Sequence, residues 1–326
     1  MRIIGIGETV LDIIFSNDQP QKAVPGGSTF NAVISLGRTL GRRGTPICMI
    51  TETGDDHIGQ IITAFMRQNH VSTHLVTINR GTQSHLSLAF LDSERNAQYE
   101  FYKDHRHASL DPVTIDTLSQ AFTMQDVVIF GSFFAINPVL RPYTHRLFSA
   151  AHNAGAILYY DINFRRCHIP DIPDTRGNLE ENMRLATVVR GSTEDFGFLY
   201  GEADPRRVYL QHVRALCPRF ICTDGARSVS VFFPNPDDPS SFIEAQIPSP
   251  RVAEVVSTIG AGDNFNAGFC YALATLGIGR HEFEALPYSD GTKHNWLSLI
   301  DCALGFSSHV VQRIDNYVDT EFVPVI

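Results

Sequence analysis

Ser257-Thr258-Ile259-Gly260-Ala261-Gly262-Asp263-Asn264-Phe265-Asn266-Ala267-Gly268-Phe269 sets two glycines before an aspartate and then continues in small and apolar residues. From Phe265 the run FNAGFCYALATL has helical spacing and stops at Gly277, so Gly260, Ala261 and Gly262 are predicted to form the turn that opens a helix. Glycines there let backbone N–H groups come close to a bound anion, and the helix dipole adds roughly half a positive charge. Such a turn suits a phosphoryl group in transit. Asp263, in the first turn, is held as an anion by the same field and can take a proton from a hydroxyl lying beside that phosphate. Aspartate also caps helices with no further role, so the reading depends on the rest of the chain.

Around this stretch the chain alternates. Arg2 to Gly7, Pro46 to Thr51, Val127 to Gly131, Ala156 to Asp161 and Arg219 to Asp224 are short, apolar and β-prone. Most are separated by segments with helical spacing such as Ser28 to Leu40 and Pro138 to Asn153. That order predicts an α/β fold, a mainly parallel sheet with helices on both faces. His85 to Leu91 and Gln98 to Lys103 break the rhythm as two strand-like runs joined by the polar Asp92 to Ala97, a predicted hairpin. With Val10 to Val24 it is expected to form a small β lid, residues 10–24 and 84–104, over the carboxyl ends of the sheet strands, where ligands of open α/β sheets bind. No repeat or long linker interrupts residues 1–326, which read as a single domain; Pro234 to Ser241 reads as a loop.

The 326 residues carry a formal net charge of −9, which argues against broad nucleic-acid binding, since that needs clustered lysine and arginine. No apolar run approaches the roughly 20 residues that cross a bilayer, and MRIIGIGETVLDIIF has no leader or transit character, so a cytoplasmic protein acting on small molecules is expected. The six cysteines are scattered without a CxxC pair and are expected to be buried, reduced thiols rather than zinc ligands or disulfides. Gly5-Ile6-Gly7 lacks the third glycine of a dinucleotide fingerprint, since position 10 is Val10. His105 and His107 lack the i, i+4 spacing of a zincin helix.

A second glycine pair opens a helix near the N-terminus, Pro25-Gly26-Gly27-Ser28-Thr29-Phe30-Asn31-Ala32, followed by Leu36-Gly37-Arg38-Thr39-Leu40-Gly41. Together with the opening stretch it resembles the two signatures of the ribokinase-like (PfkB) carbohydrate kinases, and the likeness spans nearly the whole chain. The resemblance implies a ribokinase-like three-layer α/β/α sandwich, ATP and Mg²⁺ as cofactors, and phosphoryl transfer to a sugar. It makes Asp263 the base and Gly260, Ala261 and Gly262 the anion hole. It assigns Asp12, Gly26, Gly27 and Asn31 to the sugar. Asp161-Ile162-Asn163-Phe164-Arg165 looks like the Asp-x-Asn-x-Arg motif of fructokinases and 2-keto-3-deoxygluconate kinases. Asn163 and Arg165 at a strand's carboxyl end can reach hydroxyls, a carboxylate or a phosphate, which favours fructose or a related ketose or sugar acid. Lys103, with Arg106, is a further substrate candidate. Thr223 and Gly225 stand where the family's turn faces the nucleotide, and Ala303 to His309 is the expected adenine segment.

Two positions depart from the pattern. Ser257 replaces the usual first aspartate of the second signature, and Ser192-Thr193-Glu194-Asp195 stands where the family has Asn-x-x-Glu. Ser192 and, for an indirect Mg²⁺ contact, Asp195 are the expected counterparts. The departures motivate an alternative, a non-catalytic sugar-binding or regulatory protein on the same fold. A homodimer pairing the edges of the lid hairpins is a further expectation.

Overall fold

Strand after strand, alternate side chains enter two different cores. The computed structural model describes residues 1–91, 97–102 and 108–326, and the strands it contains are β1 (Arg2–Ile6), β2 (Val10–Ser16), β3 (Gln19–Gly26), β4 (Ile47–Gly54), β5 (Val76–Asn79), β6 (Leu86–Leu91), β7 (Ala97–Tyr102), β8 (Asp126–Gly131), β9 (Ile157–Asp161), β10 (Val188–Ser192), β11 (Phe220–Asp224), β12 (Ser228–Asn235) and β13 (Asp238–Pro248). The helices are α1 (Ser28–Thr39), α2 (His57–Gln68), α3 (Pro112–Ala121), α4 (Ser132–Ile136), α5 (Arg141–Asn153), α6 (Ile172–Leu185), α7 (Thr193–Tyr200), α8 (Pro205–Val208), α9 (Ala261–Leu276), α10 (Arg280–Glu284) and α11 (Trp296–Val311).

The larger sheet has the order β13-β12-β11-β10-β9-β8-β1-β4-β5, parallel except where β12 runs against both β11 and β13. Ile3, Val127, Ile129, Ile157 and Tyr159 point to one core, which α1, α2, α9 and α11 complete. Ile4, Val128, Phe130, Leu158 and Tyr160 point to the other, against α3 to α7. Covered on both faces, these strands read as unbroken apolar runs, and the expected three-layer α/β/α architecture is what they build.

Four strands form a second sheet, in the order β3-β2-β6-β7. In it β6 pairs antiparallel with β7 and β2 antiparallel with β3, and residues 10–24, read from the sequence only as a segment beside the hairpin, join it by parallel pairing of β2 with β6. The expected turn at 92–96 and the candidates Lys103 and Arg106 lie outside the described residues, as do His105 and His107. Pro234 to Ser241 is not a loop. β12 and β13 run through it, with the turn confined to 236–237. Pro234 is tolerated because β11 pairs only as far as Phe232, so at Pro234 the strand has a neighbour on one side only, next to an irregularity in register. Five cysteines are buried as expected, but Cys167 is exposed beside β9's outgoing loop. No helix among the described residues is long and apolar enough to cross a membrane.

The two sheets meet at the carboxyl ends of the parallel strands. β1 leads directly into β2, and Ile14, Val24 and Ala89 of the small sheet pack on Ile259, just before the Gly260 turn. Behind that turn α9 packs on α11 with Gly268 at the contact: a Cβ there would lie 2.6 Å from Ala303 Cα and 2.8 Å from the Cys302 carbonyl oxygen. Gly305 of α11 is exposed and a Cβ would meet nothing. The same change should therefore act in opposite directions at the two sites. Gly268→Ala is expected to destabilise by about 1–3 kcal/mol through overpacking, and Gly305→Ala to stabilise by up to about 1 kcal/mol through helix propensity. Urea unfolding of both variants checks this, and equal shifts would contradict the packing described.

Candidate active site

Asp263 lies in the first turn of α9, whose N-cap Gly260 adopts φ +77°. A Cβ at Gly260 would sit 2.7 Å from the Asn316 carbonyl oxygen, so both the backbone angle and the space demand glycine. Asn264 ties the turn down, its Nδ2 donating to the carbonyls of Gly260 and Asn316 at 2.8 Å each. Ser257 is buried at the foot of the turn, where its Oγ accepts from the Ile259 N–H at 3.2 Å.

The two glycine signatures meet. Asn31 on α1 donates through Nδ2 to Asp263 Oδ2 at 2.8 Å, although 232 residues separate them. Its Oδ1 is buried with no partner among the described residues. Gly27 holds φ +120° as the N-cap of α1. The Asp12 carboxylate lies against Gly26, where an added Cβ would fall 1.9 Å from Oδ2. Asn316 Nδ2 also reaches Asp12 Oδ2, at 3.3 Å. Asp12, Gly26, Gly27, Asn31 and Asp263 thus form one connected patch under the small sheet.

Asn163 and Arg165 leave the end of β9. Asn163 takes φ +37°, and Ser132 at the end of neighbouring β8 takes φ +56°; strained backbone of this kind gathers at functional sites. Arg165 carries its guanidinium 5.2 Å from the ring of Tyr99 on β7, linking the small sheet to the site. Asp161, the first residue of that motif, turns inward instead. Its Oδ1 pairs with Arg190 at 2.9 Å, and its Oδ2 accepts from Asn266 at 2.7 Å.

Burial pushes the Asp263 carboxyl up to about 6, and nearby Asp161 adds to the rise, while Asn31, Arg165 and Ser28 oppose it. A carboxyl poised there can act as a base near neutral pH. Asp195 is raised as well, first by burial and then by Asp161. It forms a capping box with Ser192 at the start of α7: its Oδ2 accepts from the Ser192 N–H at 2.6 Å and from Oγ at 2.7 Å. Thr223, next to last in β11, accepts from Arg190 Nη2 at 2.7 Å; Gly225, φ +52°, turns the chain towards β12. Of the expected adenine segment, Ala303, Leu304 and Phe306 are committed to the core and His309 to Asp319 at 3.0 Å, which leaves Gly305 exposed and Ser307 and Ser308 half-buried.

Two ionisable residues escaped the sequence reading. Arg190 is a lone charge in the apolar run Ala186 to Gly191, and a charge inside a buried strand signals a partner that only the fold supplies. Glu52 ends up buried near the carboxyl end of β4 and pushed up to about 7 by burial, despite hydrogen bonds from Asn79 and the Ser109 N–H. It lines a small cavity with Glu8, Thr9, His85 and Phe133.

A model of the pfkB family carbohydrate kinases matches residues 5–312. Among curated proteins, the chain is 25% identical over 277 residues to "Probable fructokinase-4" of Arabidopsis thaliana, covering 81% of this chain and 79% of that protein. Among solved structures it resembles aminoimidazole riboside kinase from Salmonella enterica, complexed with aminoimidazole riboside and an ATP analog, with a TM-score of 0.76, 19% identity and coverage of 99% of this chain and 97% of that one. Fructokinase with bound ATP from Xylella fastidiosa gives a TM-score of 0.73 at 20% identity, covering 96% and 92%. These likenesses carry the fold.

Asp263 binds its proton more tightly in the folded chain than an ordinary aspartate does, so its ionisation takes stability away as pH rises from about 4 through 6. Asp263→Asn removes that charge and keeps an acceptor for Asn31. It is expected to raise Tm at pH 7.5, by up to about 3 kcal/mol of stability, with the gain shrinking towards pH 4. Thermal melts across that range check it, and a lower Tm at pH 7.5 would contradict the burial argument.

Proposed function

Because the chain belongs to the pfkB family of carbohydrate kinases and is a phosphotransferase acting on an alcohol group, we propose that it transfers the γ-phosphoryl group of ATP to a hydroxyl of fructose, or of a related ketose or sugar acid, with Asp263 as general base. The observation that carries this reading is the 2.8 Å bond between Asn31 and Asp263, which brings the sugar-side signature to the acid–base group. The unpartnered Asn31 Oδ1 and the Asp12 carboxylate would supply acceptors for hydroxyl donors, and Arg165 a cation whose charge is felt at Asp263. Fructose leads because the Asp161-to-Arg165 motif and the curated relative both point that way. Lys103 stays a candidate contact by its place after β7.

The reaction follows from these positions. The sugar hydroxyl gives its proton to Asp263 as its oxygen attacks the γ-phosphorus in line, the bond to the bridging oxygen of ADP breaks, and Gly260, Ala261 and Gly262 present N–H groups to the transferring group. Thr223, Gly225 and Ser192 would face the nucleotide. Mg²⁺ would ride on its phosphates, with Asp195 acting through water, since magnesium keeps most of its waters and prefers phosphate oxygens. The small sheet is the proposed lid, excluding the water that competes as acceptor, and its outer strand β7 is the edge through which a homodimer would pair. Against the regulatory alternative, Ser257 still bonds the Ile259 N–H beside the Gly260 turn and Ser192 still caps α7 with Asp195.

ADP release from MgATP, measured across ketoses, sugar acids and nucleosides, tests the proposal. Sugar-stimulated turnover is expected, reduced about 10²- to 10⁴-fold in Asp263→Ala. The kcat/KM profile should fall about tenfold per unit below pH 6, as the base takes up its proton. Glu52→Gln should leave that limb in place. Turnover within tenfold of the parent in Asp263→Ala would remove Asp263 as the base, and sugar binding without turnover would favour the regulatory alternative.

A further inference from the structure

Gly262 has no unusual backbone angle, yet a Cβ on it would lie 2.9 Å from Nη2, 3.2 Å from Nη1 and 3.4 Å from Cζ of Arg190. What demands glycine there is a guanidinium pressed against the back of the turn. Arg190 is 6% exposed. Nη1 donates to Asp161 Oδ1 at 2.9 Å and Nη2 to Thr223 Oγ1 at 2.7 Å, and the group lies 5.9 Å from the Phe265 ring. Nε is buried and has no partner among the described residues. Asp161 is itself engaged at both oxygens, since Asn266 holds the second one and in turn accepts from the Tyr159 hydroxyl at 2.9 Å. One side chain on β10 therefore braces the ends of β9 and β11 and the first turn of α9.

We propose that Arg190 is a positioning residue for phosphoryl transfer, which props the Gly260–Gly262 turn from behind and sets a buried positive charge under the group in transit. A full guanidinium charge in a dry site adds to the partial charges of the backbone N–H groups where negative charge develops, and costs no reorganisation when the reaction occurs. Through Thr223 it also fixes the strand end beside which the nucleotide is proposed to lie. This inference rests on the kinase reading of the same site.

The test uses the full-length chain with Arg190→Gln and Arg190→Lys, measured for kcat and for KM towards MgATP and fructose. Arg190→Gln should lower kcat about 10²-fold while both KM values stay within about threefold. Arg190→Lys should recover about tenfold of that loss. A loss of packing alone would not give this split or this rescue. A folded Arg190→Gln with kcat within threefold of the parent overturns the proposal. Asp161→Asn, compared with the Asp161→Asn/Arg190→Gln pair, covers a single variant that fails to fold, because the double change removes both buried charges together. A further drop of tenfold or more in the double variant supports the role, and equal kcat values overturn it. Calorimetry with MgADP, with and without fluoroaluminate, needs no sugar turnover. The parent should bind the combination at least tenfold more tightly than MgADP alone, and the Arg190 variants should lose that increment. A parent without the increment, or a variant that keeps it, overturns the proposal even if the sugar assignment stands; a parent with the increment that turns over none of the sugars fails the substrate reading alone.

Discussion

The ion pair between Arg190 and Asp161 is the interaction on which the rest of the site depends. Both side chains are more than nine-tenths buried and lie 2.9 Å apart, so neither charge has water to fall back on and each must be satisfied within the fold. The satisfaction is close to complete for Asp161, through Arg190, Asn266 and the more distant Ser28 hydroxyl. A buried pair of this kind is weak evidence of net stability, because desolvation offsets much of the attraction. What it does supply is geometry. β9, β10 and β11 end at one level, and α9 can start only where the guanidinium leaves room, which is over a residue with no side chain.

A second set of contacts closes the site from the opposite side. The chain after α11 passes under the glycine turn, so that Asn316 gives its carbonyl to Asn264 and its amide to Asp12, while the Tyr317 hydroxyl donates to the Pro25 carbonyl. Lys22 of β3 pairs with Asp315 in the same stretch. With Ile259 packed among Ile14, Val24 and Ala89, the small sheet is fastened to the Gly260 turn by polar and apolar contacts alike. A shift of that sheet would be felt at Asp12 and at Gly260 together, the coupling that the proposed lid would need to shut water out.

Much of this was legible from local pattern. Alternating apolar strands and helices announced the layered sheet, the two glycine pairs announced helix-opening turns, and the runs that became β6 and β7 announced a hairpin outside that sheet. These signals are local because each depends on a period of two, a period of 3.6, or a backbone angle that glycine tolerates. Arg190, Glu52 and Asn316 were opaque for the opposite reason. Arg190 is meaningful only with Asp161, Thr223 and Gly262 around it, and Asn316 only beside Asp12, from which 304 residues separate it. Pro234 misled because proline and acidic residues favour loops, whereas an edge position in a hairpin accepts them. Asp161 was legible as the first residue of a motif, but its partners were not: only the fold brings Arg190 and Asn266 to its two oxygens.

The charges gathered at the strand ends explain why the departure at Ser257 is compatible with a working site. Among the described residues, Asp161, Asp195 and Asp263 act on the guanidiniums of Arg165 and Arg190, three carboxyl groups against two cations. Burial is what lifts the Asp263 and Asp195 carboxyls above their ordinary range, and Asp161 adds to the rise in both. An aspartate in place of Ser257, 2% exposed at the foot of the same turn, would add a further buried anion close to where phosphate oxygens are proposed to sit. Serine keeps the hydrogen bond that shapes the turn, to the Ile259 N–H, and adds no charge. A chain that has already placed its cations behind Gly262 and beside Asp263 has no cation left, among the described residues at this site, to neutralise another carboxylate there, so the neutral residue fits the electrostatics this fold has built.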